Sequence, residues 1–350
     1  MKKNEKRVTI KDVAQRAGIS IGTVSRYISN RGYVGAEARE KIEKAIEELH
    51  YVPNAVARSM INKKSQIIGV AVPEINNPFL ADLVVRIESA LSKRNYSIML
   101  CNTRYEATKI ETFVDDLIMR NAEGIILVST DVSKKNVMTS IRRFMYGVSV
   151  GQRLPEFDCI NFNDFEAACE ITSHMIELGH ERIACMGFSK NASQTMERLY
   201  GTIHTLEHNR IPIQSEYLLG YDEIVTLMDG EDSSGNQGYV WAKYLLGLEN
   251  PPTAIFAIND FYAMGAYEAA YERGLKVGKD ISISGFDDIN IAKFMTPPLT
   301  TVHCDAKEMA SCAVDLLMNK IDSEDDETKE WEKVSLKAKF IARKSTGKKI

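Results

Sequence analysis

The amino-acid sequence predicts an all-α helix-turn-helix module followed by an α/β body of doubly wound parallel sheets. Capped amphipathic helices fill the N-terminal part, and apolar strands alternate with amphipathic helices from Ser65 onward. The two parts also differ in charge, because residues 1–64 hold 14 Lys and Arg against 7 Asp and Glu, whereas the remaining residues hold 30 against 41. This asymmetry indicates a module that binds a polyanion, although charge alone would equally fit a solvated basic terminus.

The overall composition excludes several classes of protein. Of the 350 residues, 44% are hydrophobic and 26% are charged, which is typical of globular domains. No apolar run approaches the roughly 18–20 residues that a membrane span requires, and the basic N-terminus does not resemble a signal peptide. The six cysteines form no C-x-x-C pair, which favours reduced thiols at Cys101, Cys159, Cys169, Cys185, Cys304 and Cys312. We therefore expect a cytoplasmic protein with no membrane contact, no metal and no cofactor.

Three helices are predicted in the N-terminal module. Thr9 begins the first helix in a T-x-x-D capping pattern, and Gly18 provides the turn that ends it. Ser20 caps a second helix, Ile21 to Ile28, and a third amphipathic helix runs from Ala36 to Leu49. Two short helices joined by a turn that contains glycine are typical of a helix-turn-helix.

The outward face of the second helix carries side chains that suit the major groove of DNA. Ile21 can contact a thymine methyl group, and Arg26 can pair with the O6 and N7 atoms of guanine. Thr23 and Ser25 can bind phosphate, whereas Gly22 has no side chain that could contact a base. Each position alone would fit an ordinary surface residue of a small helical bundle. The capped and regularly spaced set favours DNA binding.

Several motifs of this module are similar to those of a known family. The segments V-T-I-K-D-V-A at 8–14, G-I-S at 18–20 and T-V-S-R at 23–26 closely resemble the lactose/galactose repressor (LacI/GalR) family of bacterial transcription regulators. The segments Y-V-P-N at 51–54 and A-R-S at 57–59 resemble the hinge helix of that family. The resemblance continues to about residue 345, so it covers nearly the whole chain.

The resemblance implies which residues contact DNA. Residues 1–53 would form the DNA-binding domain, and residues 54–64 would form the hinge helix and linker. In the family, two hinge helices meet over the minor groove, where a leucine side chain wedges between base pairs. Met60 stands at that position here, and methionine is apolar and flexible enough to serve. The expected DNA-binding residues are Thr9, Ser20, Ile21, Gly22, Thr23, Ser25, Arg26, Ser29, Tyr33, Tyr51, Asn54, Ala57 and Met60.

The body, residues 65–350, shows repeated β-α patterns. The expected buried strands are Ile67–Val72, Ser97–Cys101, Gly124–Val128, Val148–Gly151, Ile183–Gly187, Ala254–Ile258 and Ile281–Gly285. The helices between them include Leu80–Arg94, Phe165–Leu178, Arg198–Asn209, Tyr262–Arg273 and Lys307–Ile321. The resemblance implies a periplasmic-binding-protein-like body of two doubly wound lobes that binds an effector and forms the dimer. We expect residues 65–161 and 291–322 in the first lobe, and residues 162–290 and 323–350 in the second.

Ligands of doubly wound sheets bind at the carboxyl ends of the strands, which directs attention to the polar residues that follow them. Asn77 and Phe79 follow the first expected strand, and Gln152 follows the fourth. Arg198 begins R-L-Y-G, which resembles the R-L-x-G motif whose arginine often grips the effector in the family. Amides, carboxylates and a guanidinium offer the paired donors and acceptors that vicinal hydroxyl groups need. The expected effector-binding residues are Asn77, Phe79, Gln152, Arg198, Asn259 and Asp287.

Helix capping is the alternative role for the polar residues at the later strand ends. Asn259-Asp260 and Asp287-Asp288 each follow a strand, and Asp260 also precedes a helix. Effector binding is favoured for Asn259 and Asp287, whereas both roles remain open for Asp260 and Asp288. Asp232-Ser233-Ser234 stands where many members of the family have an aromatic residue. This departure from the family would suit an unusually polar or large effector.

These patterns together imply a repressor that binds a pseudo-palindromic, double-stranded operator as a homodimer. A small molecule would control the repressor, and a carbohydrate is the favoured class of effector. The alternatives are a sugar receptor or an enzyme on the same body without a role at DNA. His204 and His208 have the spacing of a zinc-binding helix, but residue 205 is threonine where a metalloprotease needs glutamate. No P-loop, nucleophile elbow or dinucleotide-binding motif is present, so an enzyme is not expected.

Overall fold

The chain divides into two compact units, Met1–Gln66 and Ile67–Ile350. The computed structural model describes residues 8–28, 33–51, 65–130, 132, 135–220, 237–323 and 330–349. Within those residues, no helix has both the length and the apolar character of a membrane span. The six cysteines are unpaired, with three of them buried and three half-buried. The predicted fold class, a helical module with an α/β body of parallel sheets, is confirmed.

The first unit contains α1 (Ile10–Ala17), α2 (Ile21–Ile28) and α3 (Ala36–Glu48). The bounds of α2 are those that the sequence predicts, and α3 ends one residue earlier than predicted. The backbone N–H of Thr9 donates to the Asp12 carboxylate at 2.7 Å, and Gly18 ends α1 with φ +67°. The Ser20 hydroxyl accepts from the Thr23 backbone N–H at 3.2 Å. The three helices enclose a small core of Val13, Ala14, Val24, Ile42, Ala45 and Tyr51.

The second unit follows the predicted alternation of strands and helices. In chain order its elements are β1 (Ile67–Val72), α4 (Pro78–Ser92), β2 (Ser97–Asn102), α5 (Ala107–Met119), β3 (Gly124–Val128), α6 (Lys135–Phe144), β4 (Tyr146–Val150), β5 (Asp158–Phe162), α7 (Asp164–Glu177), β6 (Ile183–Phe188), α8 (Ser193–His208), β7 (Leu218–Gly220), α9 (Gln237–Leu246), β8 (Ala254–Ala257), α10 (Asp260–Glu272), β9 (Ser282–Ser284), β10 (Thr301–His303), α11 (Ala306–Asp322), β11 (Lys333–Leu336) and β12 (Lys339–Ile341). All seven predicted strands are present, with ends that differ by two residues or fewer. The strands that the sequence does not predict are β5, β7, β10, β11 and β12.

The strands form two parallel sheets, one in each lobe of the body. The first has the order β11-β5-β4-β3-β1-β2, and the second has the order β7-β6-β8-β9. A separate antiparallel pair, β10 and β12, joins the second sheet through bridges that include Ser284 to Thr300. Parallel strands with connecting helices are buried on both faces, and the strands β3, β5, β6 and β8 are buried along their whole length.

The structure corrects two of the expected lobe boundaries. Lys333–Leu336 were expected in the second lobe, but they form β11 and pair with β5 at the edge of the first sheet. Residues 291–303 were expected in the first lobe, but β10 pairs with β12, and Asp287 bridges to His303 beside the second sheet. Backbone pairing decides both cases, because each segment satisfies the hydrogen bonds of an edge that would otherwise lack a partner. α11 then returns to the first lobe and packs against α4.

We expect residues 67–350 to fold without the N-terminal unit, because the body has its own large apolar core. Both tryptophans of the chain, Trp241 and Trp331, lie in the body, so tryptophan fluorescence reports its unfolding alone. A protein that lacks residues 1–66 should unfold cooperatively in urea, with a midpoint close to that of the full chain. A broad, non-cooperative transition in the truncated protein would contradict the division into two units.

Candidate functional site

The body contains an open cleft of about 820 Å³ at the carboxyl ends of its strands. Residues that follow strands of both sheets line the cleft, as expected for a doubly wound architecture. Pro73 follows β1 and Ser129 follows β3 in the first sheet, whereas Ser189, Asn259 and Asp287 follow strands of the second. The cleft therefore lies between the two lobes.

The structure brings five of the six predicted effector-binding residues together in this cleft. They are Asn77, Phe79, Arg198, Asn259 and Asp287. Gln152, the sixth, is not among the lining residues. Its side chain instead contacts the segment after β6 in the other lobe, where its amide donates to the carbonyl oxygen of Asn191 at 2.9 Å.

A buried ionic cluster around Arg198 forms one wall of the cleft. The Arg198 Nε donates to the Asp164 carboxylate at 2.8 Å, and its Nη1 donates to the carbonyl oxygen of Ile258 at 2.5 Å. Asp287 lies 3.7 Å from the same Nη1, and the guanidinium stacks 3.6 Å from the centre of the Phe286 ring. Arg198 is 8% exposed, Asp164 4% and Asp287 6%. The cluster thus joins three different strand ends through a single side chain.

One guanidinium cannot neutralise two buried carboxylates, and this imbalance sets their protonation. Burial raises the pKa of Asp287 to about 7, although Arg198 acts in the opposite direction. Burial also raises the pKa of Asp164, and Arg198 opposes that rise. Because Arg198 hydrogen-bonds directly to Asp164, we assign the negative charge to Asp164 and the titrating proton to Asp287.

The R-L-Y-G motif has a packing role as well as a polar one. Leu199 is buried in the core, and Gly201 lies against the backbone of Phe165 on α7. A Cβ atom at Gly201 would come closer to the Phe165 carbonyl oxygen than van der Waals contact allows. The glycine therefore lets α8 approach α7, and this approach brings Arg198 to Asp164 at the start of α7.

Two of the cleft asparagines also cap helices. The Asn77 Oδ1 accepts from the backbone N–H of Phe79 at 3.0 Å, and the Asn259 Oδ1 accepts from that of Tyr262 at 2.7 Å. Capping and lining the cleft are thus compatible, because each amide nitrogen remains for a ligand. Gly187 also lines the cleft. Its φ of +97° favours glycine, and a Cβ atom at this position would lie only 2.6 Å from the Tyr262 ring, so no side chain fits there.

The two aspartates whose role remained open are outside the cleft lining. Asp260 is fully buried, where it accepts from the Ile289 backbone N–H at 2.9 Å and from the Thr301 hydroxyl at 2.5 Å. Asp288 forms an ion pair with Arg343 at 2.6 Å and a hydrogen bond with the Nδ1 of His303 at 3.1 Å. Both carboxylates tie loops of the second lobe together.

The sequence analysis missed several residues of the cleft. Asp164 follows β5, whose apolar residues are interrupted by Asn161, so the sequence does not show that Asp164 stands at a strand end. Tyr105 is half-exposed at the cleft in a turn where Arg104 and Tyr105 both have positive φ values. Gln194 also lines the cleft, and its buried Oε1 has no hydrogen-bond partner.

In the first unit, α2 presents the predicted DNA-binding residues. Ile21 is 46% exposed, and Ser20, Gly22 and Arg26 are exposed as well, whereas Thr23 is half-buried. The Arg26 guanidinium lies back along its own helix, where Nε donates to the Gly22 carbonyl oxygen at 3.3 Å and Nη2 to the Thr23 hydroxyl at 3.4 Å. Ser25 is half-buried, Thr9 is exposed at the start of α1, and Tyr33 is 90% exposed.

Tyr51, another residue of the predicted DNA-binding set, lies in the core of the first unit. This side chain is 9% exposed and packs in the three-helix core, so its ring fills that core instead of facing outward. The predictions for Ser29, Asn54, Ala57 and Met60 lie outside the described residues, as does the departure at Asp232-Ser233-Ser234.

The two histidines with zinc-like spacing pack against each other. The rings of His204 and His208 are 6.3 Å apart, and Phe165 packs on His204 with a centroid distance of 5.5 Å. In the part of the chain that the structure describes, no group of three or more His, Cys, Asp or Glu side chains is arranged to hold a metal ion.

Comparisons with known proteins match both units. Residues 9–54 match the family model of the bacterial regulatory proteins, lacI family, and residues 172–346 match that of the periplasmic binding protein-like domain. The HTH-type transcriptional repressor PurR of Haemophilus influenzae (strain PittEE) is 30% identical over 339 residues, which cover 96% of this chain and 98% of that protein.

Solved structures of similar proteins cover almost the whole chain. The lac repressor dimer bound to operator and the anti-inducer ONPF has a TM-score of 0.83 and 28% identity, and the match covers 98% of this chain and 100% of that one. The complex of the transcriptional regulator CelR with cellobiose has a TM-score of 0.69 and 26% identity, covering 97% of this chain and 100% of that one.

The buried carboxyl of Asp287 predicts a pH-dependent stability. Because its pKa is raised to about 7 in the folded chain, its contribution to stability is complete below about pH 4 and is lost as the pH rises through 7. Asp287→Asn, a neutral isostere that tolerates the positive φ, should match the wild type only near pH 4 or below, and its gain over the wild type should be larger at pH 8 than at pH 5. The expected gain in unfolding free energy at pH 8 is on the order of 2–4 kcal/mol, measured by urea titration at both pH values.

Asp288→Asn is the matched control for this measurement. It removes a neighbouring carboxylate that also has positive φ but that pairs with Arg343 away from the cleft. It should lower stability at both pH values. A gain at pH 8 for Asp288→Asn, or no gain for Asp287→Asn, would show that the buried cluster does not carry the proton at Asp287.

Proposed function

Because the chain belongs to the LacI family of bacterial regulatory proteins, we propose a separate function for each of its two units. The protein is a sequence-specific transcriptional repressor that binds operator DNA under the control of a small molecule. The first unit binds the DNA, and the cleft of the second unit binds the effector. Residues 1–53, 54–64 and 65–350 are the proposed DNA-binding domain, hinge and effector-binding body.

The exposed face of α2 is the observation that supports the assignment of the DNA surface. Its N-terminal turn can direct backbone N–H groups at phosphate, and Ile21 and Arg26 stand where base edges would meet them. The Arg26 guanidinium would exchange its contacts with Gly22 and Thr23 for the O6 and N7 atoms of guanine. Ser20, Thr23, Ser25 and Ser29 would contact the DNA backbone.

We propose a homodimer on a pseudo-palindromic operator. One helix-turn-helix reads only a half-site, so two copies are needed for a full operator. A hinge helix over residues 54–61 would have about two turns, too few to be stable alone, and it would fold against its copy over the minor groove. Met60 would then wedge between base pairs. The similar lac repressor structure is a dimer bound to operator, which supports this arrangement.

A carbohydrate is the proposed effector. The cleft combines carboxylate, guanidinium and amide groups at Asp287, Arg198, Asn77 and Asn259 with the ring of Phe79. Paired polar groups suit vicinal hydroxyls, and an aromatic face suits the apolar side of a sugar ring. The similar structure of CelR holds cellobiose, which supports this class of ligand. Closure of the lobes around the sugar would change the distance between the two hinges of the dimer.

We also propose that the protein acts in the cytoplasm, where the DNA is, and that it is not an enzyme. The relatives to which it is similar are transcriptional regulators. An assay of sugar turnover alongside operator binding separates the repressor from the alternative of an enzyme or sugar receptor without a role at DNA. The repressor should bind DNA tightly and turn over no sugar.

Arg26→Ala tests the DNA surface. An operator is first selected from a pool of randomised duplexes on the wild-type protein. Arg26→Ala should then weaken binding to the selected duplex by roughly 1–3 kcal/mol and weaken binding to random DNA much less, because only the base contact carries sequence information. Fluorescence anisotropy at one salt concentration measures both affinities.

Arg16→Ala is the matched control, since the Arg16 guanidinium pairs with Glu48, with its Nε donating at 2.7 Å. It removes the same charge from the same unit, so any loss should be similar on both duplexes. Equal losses on both duplexes for Arg26→Ala would mean that Arg26 contacts phosphate and not bases.

Asp287→Asn and Asp288→Asn test the effector site. A thermal-shift panel of ribose, glucose, cellobiose, glucose 6-phosphate and adenosine identifies a compound that stabilises the wild type, since a ligand at 100 times its Kd adds roughly 2.7 kcal/mol. Asp287→Asn should abolish most of that shift, whereas Asp288→Asn, outside the cleft lining, should keep it. Stabilisation by adenosine alone would contradict the carbohydrate, and equal shifts in both variants would contradict the site.

A further inference from the structure

The loop after β4 reaches across the cleft to the segment that begins α8. The Gln152 Oε1 accepts from the backbone N–H of Ser193 at 2.7 Å, and the Gln152 Nε2 donates to the carbonyl oxygen of Asn191 at 2.9 Å. The backbone N–H of Arg153 donates to the Ser193 hydroxyl at 2.8 Å. Arg153 also pairs with Glu197 at 3.4 Å. β4 belongs to the first sheet and α8 follows a strand of the second, so every one of these contacts joins the two lobes.

Gln152 supplies a cap that α8 lacks in its own lobe. The N-cap residue of α8 is Ala192, which has no side-chain acceptor for the free N–H groups of the first turn. Ser193 is the first residue of the helix, and its N–H is bound by the amide oxygen of Gln152 from the other lobe. Separation of the lobes would therefore leave the start of α8 without this acceptor. Arg198, which holds the ionic cluster of the cleft, lies on the same helix.

We propose that Gln152 is a positioning residue that caps α8 across the cleft, holds the lobes closed and keeps Arg198 in place for the effector. This role rests on the proposed function of the cleft as the effector site. It replaces the direct effector contact that the sequence suggests for Gln152.

Gln152 contributes more to this contact than the neighbouring ion pair. Its side chain is 8% exposed and has both its polar groups bonded to the other lobe, so its removal leaves buried groups unpaired. The side chains of Arg153 and Glu197 are 61% and 30% exposed, and exposed ion pairs contribute little. The test therefore concentrates on Gln152 and on the N–H that it binds.

Hydrogen exchange and X-ray scattering on the full chain, without any sugar, test the trans-lobe cap. Gln152→Ala should speed exchange of the first-turn amides of α8 about tenfold and increase the radius of gyration of the protein. Gln152→Glu should keep that protection, because a carboxylate also accepts from a helix N-terminus, although it cannot donate to Asn191. Arg142→Ala is the matched control, since Arg142 pairs with Glu156 inside the first lobe and its loss should change neither measurement.

A double-mutant cycle separates the cap from general damage. Ser193→Pro removes the N–H and the hydroxyl that the loop binds, at the first helical position, where proline is tolerated. Ala192 has the extended backbone that a residue before proline needs. Gln152→Ala, Ser193→Pro and the double variant should open the lobes to the same extent. Additive effects, or wild-type exchange and scattering in Gln152→Ala, would overturn the proposal.

The compound of the thermal-shift panel that stabilises the wild type gives a final readout. Its Kd should rise about tenfold in Gln152→Ala and remain near the wild-type value in Arg142→Ala. An unchanged Kd in a Gln152→Ala protein with opened lobes would overturn the positioning role. Because exchange and scattering use no sugar, failure of the cap is distinguishable from failure of the carbohydrate assignment.

Discussion

The buried ionic cluster around Arg198 is the interaction on which the effector-binding body depends. A single guanidinium hydrogen-bonds to the start of α7 at Asp164 and to the end of β8 at Ile258, and it lies beside Asp287 after β9. Removing such a side chain would leave a buried carboxylate without a counter-ion, which is far more costly than loss of an exposed pair. The same side chain forms part of the cleft wall. The group that stabilises the second lobe is thus also part of the proposed effector site.

Close packing of α8 on α7 makes this cluster possible, and contacts between the lobes connect α8 to the opposite side of the cleft. Gly201 allows α8 to approach α7, so that Arg198 reaches Asp164 within a single lobe. The N-terminal end of α8, five residues before Arg198, is bound by Gln152 from the other lobe. α8 therefore carries Arg198, the central polar group of the cleft, and is capped from across the cleft. We expect the position of Arg198 to depend on the separation of the lobes for this reason. The DNA-binding unit has a separate small core, so its surface residues can be specialised without disturbing the cleft.

Much of the fold could be predicted because its signals are local. The Thr9 and Ser20 caps, the turn at Gly18 and the bounds of α2 each depend on residues within a few positions of one another. Most of the seven strands that the apolar runs predict are buried on both faces of parallel sheets, which is why continuous apolar runs identified them; β2, at the edge of the first sheet, is partly exposed. The strands that were missed have no such run: β7, β10 and β12 have only three residues each, β11 is a partly exposed edge strand, and Asp158 and Asn161 interrupt the apolar residues of β5.

The sequence by itself determined the helix-turn-helix, the alternation of strands and helices, and five of the six candidate residues that line the cleft, because strand ends and helix caps are short-range properties. Only the tertiary structure decided that Asp164 meets Arg198, which is 34 residues away, and that β11 pairs with β5 at the edge of the first sheet. It also decided that Gln152 binds Ser193, 41 residues further along the chain, and that Tyr51 turns into its core. Those outcomes depend on which groups become neighbours when the lobes assemble, because each buried polar group and each exposed strand edge needs a hydrogen-bond partner. The local periodicity of the sequence does not indicate which partner that is.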